Sequence, residues 1–338
     1  MPKRFRGGIL QARLPEINTS TNFVSDGIYN TADAAQYIGT GNWAGSLKYQ
    51  QYGTPGTYSF IVPDGVNTIS VLAVGAGGAG DDGNAGDGGG GGGAGGACAV
   101  ASNVAVIPGN TITVVVGAGG ASGQGKGVRA ESGGNTTVTF GSFIMNAVGG
   151  QGGAPYTANP GANGANAVFS SIPAGVVTAG YIGGNGGGAF DGGGAGGGAA
   201  GAAGAGGTGS HSNNQTTTEA PTNSYAGGGG GARSSAGIGS LGGASGGTGQ
   251  TNITGGGGGG AYTFTSVAAF LDTNGSNGNG LSTSGSKGGN GGFPGGGGGG
   301  SFDGGVGVAS SGGNGFVRIV WGTNSNGIRR FPDNALDI

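Results

Sequence analysis

The sequence predicts an all-β protein: an antiparallel β-sandwich combined with a packed lattice of polyglycine-II-type helices, and essentially no α-helix. Two observations carry this. Glycine supplies 97 of the 338 residues and charged residues only 8%, against roughly 7% Gly and about 25% charged residues in ordinary proteins. Gly costs about 1 kcal/mol per α-helical position relative to Ala, and no segment carries a sustained helical stripe. Second, short β-branched runs bounded by Gly, Pro, Asn or Asp punctuate the chain, the pattern of strands and turns.

The strands follow in order. Thr57 to Val62 alternates and ends at the turn residues Pro63-Asp64-Gly65. Val66 to Val74 is a second strand, and Cys98 to Ile107 a third, stopped by Pro108-Gly109-Asn110. Thr111 to Val116 follows. Thr136 to Phe140 and Phe143 to Val148 form a hairpin over Gly141-Ser142, and Phe316 to Trp321 is the last strand. That strand is expected to close the sheet begun near residue 60. Cys98 falls among Ala and Val, as a small core residue does.

The glycine runs need their own solution. Runs at 192–209, 226–231, 255–260 and 295–300 alternate with the inserts 168–182, 210–225 and 262–284. Collagen demands Gly at every third residue and abundant Pro. Gly does recur with period three at 77, 80, 83, 86, 89, 92 and 95, but Pro totals 11 and the phase slips elsewhere. A left-handed helix with three residues per turn and no internal hydrogen bonds remains. Buried amides and carbonyls must be paired, so such helices are expected to bond to one another side by side. A short repeat marks some run ends: Ala189-Phe190-Asp191 and Ser301-Phe302-Asp303 are both flanked by glycines, with the two aspartates expected to orient turns.

Four regions result: a docking arm over 1–52, sandwich strands with a first glycine-rich insertion over 53–148, the lattice with displayed loops over 149–315, and the closing strand and tail over 316–338. The arm is poor in Gly and rich in basic and aromatic residues. Lys3, Arg4, Phe5, Arg6, Arg13, Phe23, Tyr29, Tyr37 and Trp43 are its candidate docking residues. It cannot build a core alone, so it is expected to lie against something larger.

Composition also excludes functions. A formal net charge of −2 leaves no electrostatic footprint for nucleic acid. One Cys precludes a disulfide framework or a multi-Cys zinc site, and the lone His211 sits in a polar stretch rather than beside a nucleophile. No apolar stretch approaches 18 residues, so no membrane insertion is expected. The basic start is not followed by the apolar region of a signal peptide.

Gly75 to Gly80 reads G-x-G-x-x-G after a strand, but a dinucleotide site needs a helix next, and Asp81-Asp82-Gly83-Asn84 follows instead. Gly120-x4-Gly125-Lys126 imitates a phosphate-binding loop, yet Gly127 stands where Ser or Thr should hold magnesium. Asp81, Asp82 and Asp87 could hold a cation or form a solvated bend. No enzyme and no cofactor is expected.

The run Gly56 to Val71, followed by Gly75-Ala76-Gly77-Gly78-Ala79-Gly80 and closed by Gly313-Asn314-Gly315-Phe316-Val317-Arg318-Ile319-Val320-Trp321, resembles the glycine-rich domain of bacteriophage tail and fibre proteins, over about 53–322. The chain is also similar to polyglycine-sandwich adhesins of phage fibre tips, whose loops contact host receptors. Residues 1–52 and 322–338 are similar in style to structural proteins of marine phages. The resemblance implies a virion protein assembled in the host cytoplasm: a tail fibre or tail appendage recognising a host-surface glycan or protein. It implies a homo-oligomer, a trimer favoured, joined to other virion proteins through 1–52. The alternative is a capsid-decorating or head-fibre protein held to the shell by that arm. A glycosidase-bearing spike is disfavoured, since no acidic cluster or β-helix rung appears. Candidate receptor-contact residues are Tyr156, Phe190, His211, Asn213, Asn214, Thr217, Tyr225, Tyr262 and Phe302, aromatic and polar groups of the segments between glycine runs. Covering the ends of the bundle is the other role open to these aromatics.

Overall fold

Strict alternation builds the sandwich. In a computed structural model, the described residues are 49–83, 88–121, 128–155, 161–189, 193–202, 204–210, 212–213, 217–218, 288–301, 310–324, 327–328 and 331. The strands are β1 (Tyr49–Tyr52), β2 (Gly56–Ile61), β3 (Thr68–Val74), β4 (Cys98–Ala105), β5 (Thr111–Val116), β6 (Thr136–Phe140), β7 (Phe143–Ala147), β8 (Ala167–Ser170), β9 (Val177–Tyr181), β10 (Ser212–Asn213), β11 (Thr217–Thr218), β12 (Phe316–Trp321), β13 (Thr323–Asn324) and β14 (Gly327–Ile328). Two five-stranded sheets face each other, ordered β1-β12-β3-β4-β9 and β2-β5-β6-β7-β8. Every pairing is antiparallel, and no α-helix occurs among the described residues.

On β5 the side chains of Ile112, Val114 and Val116 point inward and Thr111 and Thr113 outward, as a period of two requires. They meet Val71, Ala73, Val317 and Ile319 of the other sheet in one core, where the Phe60 and Trp321 rings lie 5.6 Å apart. Strands β3 and β12 are buried along almost their whole length because both faces are covered. Their second face, with Leu72, Val74, Phe316 and Val320, packs on Ala199, Ala200, Ala202 and Phe331. Arg318 shares that face, its guanidinium 3.9 Å above the Tyr49 ring.

The first sheet is joined differently from expectation. β12 pairs with β3 and β1 and leaves β2 to the other sheet. Strand β1 takes the last four residues of the expected arm, and Tyr52 is part of the core. The expected insert 168–182 largely forms β8 and β9, the edge strands that complete the two sheets.

The sandwich is polar along its strands. At one end lie tight turns: Gly109 (φ 81°) sits third in Ile107-Pro108-Gly109-Asn110, whose Asn110 N–H donates to the Ile107 carbonyl at 3.1 Å. A positive φ after Pro is the type II turn that selects Gly. At the other end the strands run on as glycine segments. β3, β5, β7 and β9 continue into 75–83, 117–121, 148–155 and 182–189, while 88–97, 128–135, 161–166 and 310–315 lead into β4, β6, β8 and β12.

These segments form a lattice. In 75–81 successive amides donate to three antiparallel neighbours in rotation: Gly75, Gly78 and Asp81 to Ala97, Ala94 and Gly91; Ala76 and Ala79 to Gly134 and Glu131; Gly77 and Gly80 to Gly313 and Ser310. Three parallel neighbours donate back, through Gly150 and Gly153, Gly298 and Ser301, and Gly120. The 75–83 helix is therefore ringed by six others, with these bonds all 2.8–3.1 Å long. A repeat of three is the polyproline-II screw, left-handed at negative φ. Positive φ is confined to segment ends such as Gly83, Gly88 and Gly295.

Side chains survive in this lattice only on particular columns. Ala76 and Ala79, Ala94 and Ala97, and Ala162 and Ala165 stand three apart and are buried. Elsewhere a methyl has no room: a Cβ on Gly77 would lie 2.0 Å from the Gly296 carbonyl oxygen. Asparagines fasten the rim, where Asn135, Asn185 and Asn314 Oδ1 accept from Gly149, Gly164 and Gly119 N–H at 2.7–3.0 Å.

Candidate functional site

Each glycine helix is anchored at its sandwich end and released at the other. Helices 75–83, 117–121, 148–155 and 182–189 run away from the sheets; 88–97, 128–135, 161–166 and 310–315 return. Segment 193–201 runs parallel to 88–97, bonding Gly194, Gly197 and Ala200 N–H to Gly90, Gly93 and Gly96. Segment 204–210 runs outward beside 182–189, and 295–301 runs outward beside 75–83. The connections 84–87, 122–127, 156–160, 190–192, 211–287 and 302–309 therefore all begin and finish at one end of the bundle, opposite the tight turns. At roughly 3.1 Å per residue, the 75–83 helix sets that end about 25 Å beyond the sheet.

The candidate contact residues belong to these connections. Asn213 and Thr217 are paired across the short β10–β11 hairpin. Tyr156, Phe190, His211, Asn214, Tyr225, Tyr262 and Phe302 lie outside the described residues, as do Asp87, Lys126, the runs 226–231 and 255–260, and the docking candidates Lys3 to Trp43. The repeat noted in the sequence is informative here. Ala189 and Ser301, which precede Phe190 and Phe302, are buried last described residues of two outward-running helices.

The dinucleotide-like glycine motif is spent on the lattice. The amides of Gly75 to Asp81 all donate to carbonyls of neighbouring helices, which leaves none to cradle an anion. Gly120 likewise donates to the Gly77 carbonyl.

Asp81 and Asp82 close the central helix and are both buried. Gly83 N–H donates to Asp81 Oδ2 at 3.3 Å. Burial pushes the Asp81 carboxyl up from 3.8 to about 7; the Gly83 amide opposes this, the Asp82 charge adds to it, and Arg129 draws it down. Burial raises Asp82 as well. Arg129 itself donates to the Gly152 carbonyl at 2.8 Å.

The sign of the resulting pH effect follows from linkage. A carboxyl raised on folding stabilises the native state fully below its unfolded pKa, near 4, and loses that contribution as pH rises through about 7. The thermal midpoint is expected to fall between pH 4 and pH 7, by an amount worth up to roughly 4 kcal/mol. Asp81→Asn should remove most of that slope. A flat wild-type midpoint over this range would contradict the burial of the acid.

Comparison with curated proteins finds no match to the chain. The family comparison does. A model described as a glycine-rich domain matches residues 53–280, a span that takes in strands β2 to β11 and most of the lattice. The chain belongs to this glycine-rich domain family.

Proposed function

We propose that the protein is a structural component of a bacteriophage virion, a tail fibre or tail appendage that presents the far end of its glycine bundle to a host surface. The observation that carries this reading is polarity. Strand β1 pairs antiparallel with β12, so the chain enters β1 at the turn end, while the connections 84–87, 122–127, 156–160, 190–192, 211–287 and 302–309 begin and finish at the opposite end. An anchor and a display surface are thus separated by a rigid body.

Loops fixed by a scaffold are where binding residues concentrate. The turn end also exposes Ile107 and Ile172, at 66% and 47%, apolar surface for contact with another virion protein. The motif pair of the Gly56–Val71 run and the Gly313–Trp321 closing strand supports the phage assignment, and the same polarity suits attachment to a tail.

Immunogold labelling of particles with antibody against residues 210–225 tests the location. Gold confined to tails is the expected result. Gold over the head would replace the appendage with a capsid-decorating protein, and gold on no particle would remove the virion assignment.

A further inference from the structure

We propose that two copies of the chain pair through the open edge of β2, about a twofold axis at Ser59. The proposal goes beyond the virion reading and concerns the free protein.

β2 is an edge of the second sheet, held only by β5. Val62 N–H donates to the Asn110 carbonyl at 2.9 Å. Bonding direction alternates from residue to residue in an antiparallel ladder. Phe60, Tyr58 and Gly56 therefore also face β5, while Thr57, Ser59 and Ile61 turn their amides and carbonyls outward. Among the described residues nothing bonds them on that side. All three are exposed, Ile61 at 64%.

Sheet edges are commonly blunted by brevity, charge, bulges or proline. β2 has six residues, against four in the edge strands β1 and β8 and five in β9. Its ladder with β5 runs without a register shift. No charged residue occurs in β2 or in the other strands of its sheet, so no like charge on that sheet repels a second copy. Proline stands only at the two limits, Pro55 and Pro63.

Those limits select the partner. Two antiparallel β2 strands with Ser59 opposite Ser59 set Thr57 against Ile61 at both ends. Each opposed pair exchanges two bonds, so every outward amide and carbonyl is used. The next pair is Pro55 against Pro63, neither with an N–H, and the ladder stops with no donor left over. A slip of two residues instead opposes Ile61 to Pro55 and loses a bond at each end. An isologous contact of this kind closes at two copies, where the resemblance favours a trimer. The twofold axis points the two glycine bundles in opposite directions, so the pair belongs to the protein before incorporation.

Sedimentation equilibrium of the full chain, up to about 100 μM, is the test. A mass twice the 31.2 kDa of one chain is expected. Ser59→Pro keeps the β5 ladder, since the lost N–H faces outward, and removes two bonds at the axis. Ser59→Lys sets like charges directly opposite each other. Each should weaken pairing roughly tenfold or more while the circular dichroism spectrum stays that of the wild type. Should Ser59→Pro fail to fold, Ser59→Lys carries the test. Mixing Ser59→Lys with Ser59→Asp should restore the pair as a heterodimer, because this register alone places residue 59 against itself. A monomeric or trimeric wild type, undiminished pairing in a folded variant, or no recovery in the mixture would overturn the proposal.

Discussion

Gly95→Ala is expected to cost more than about 3 kcal/mol and to lower the thermal midpoint by about 10 °C or more, or to abolish soluble expression. A Cβ there would lie 1.9 Å from the Gly198 carbonyl oxygen and 2.4 Å from its carbon. The obstacle is backbone, which has no rotamer to give. Ordinary overpacking costs roughly 1–3 kcal/mol because side chains yield, and total stabilities are only about 5–15 kcal/mol. Gly95 also donates to the Gly184 carbonyl at 2.9 Å, so displacement breaks a second helix contact. The adjacent Ala94→Gly is the control. Ala94 occupies a column with room for its methyl, and its loss should cost only about 1 kcal/mol. Equal effects at the two positions would deny the close approach of the helices.

The energetics explain why this substitution spreads. Ordering each backbone residue costs roughly 1–2 kcal/mol, most for Gly. One hydrogen bond per residue returns about 0.5–1.5 kcal/mol net, with Cα–H···O contacts adding a little. The lattice is thus near balance by itself. The sandwich tips it, because each strand delivers its glycine helix already placed and in register.

Removal of residues 1–48 is expected to leave a folded protein that no longer enters particles. The cut must spare β1: Tyr52 is in the core and Tyr49 supports Arg318, so a deletion through residue 52 would confound folding with docking. The measurement is immunoblotting of purified particles beside thermal unfolding of the isolated variant. Normal incorporation would end the docking role of the arm.

The strands with alternating side chains were readable from sequence, since burial on one face leaves a period of two. β8 and β9 were not, because Ala167-Val168-Phe169-Ser170 and Val177-Thr178-Ala179-Gly180-Tyr181 are half-buried edges with weak patterns. β1 was hidden by Gln50 and Gln51, two consecutive exposed polar residues that break its alternation. Which glycine helices are neighbours was also illegible: a residue without a side chain writes no face. The period of three at 77 to 95 looked continuous, yet it covers two antiparallel helices with 84–87 between them. Three signals could have revealed more. Alanines three apart marked the open columns, asparagines among glycines marked the rim, and an aspartate on an alanine column marked a side chain carried inward. For the site, the aromatics that end glycine runs pointed to the helix ends.

Hydrogen exchange of the backbone amides in 75–81 and 90–97, resolved by peptide mass spectrometry, tests the lattice most directly. Slow exchange, at the rate of β3 and β4, is the predicted result, because these amides are bonded within the bundle. Exchange at the rate of an unstructured glycine chain would contradict it, and the proposed separation of anchor from display surface would fall with it.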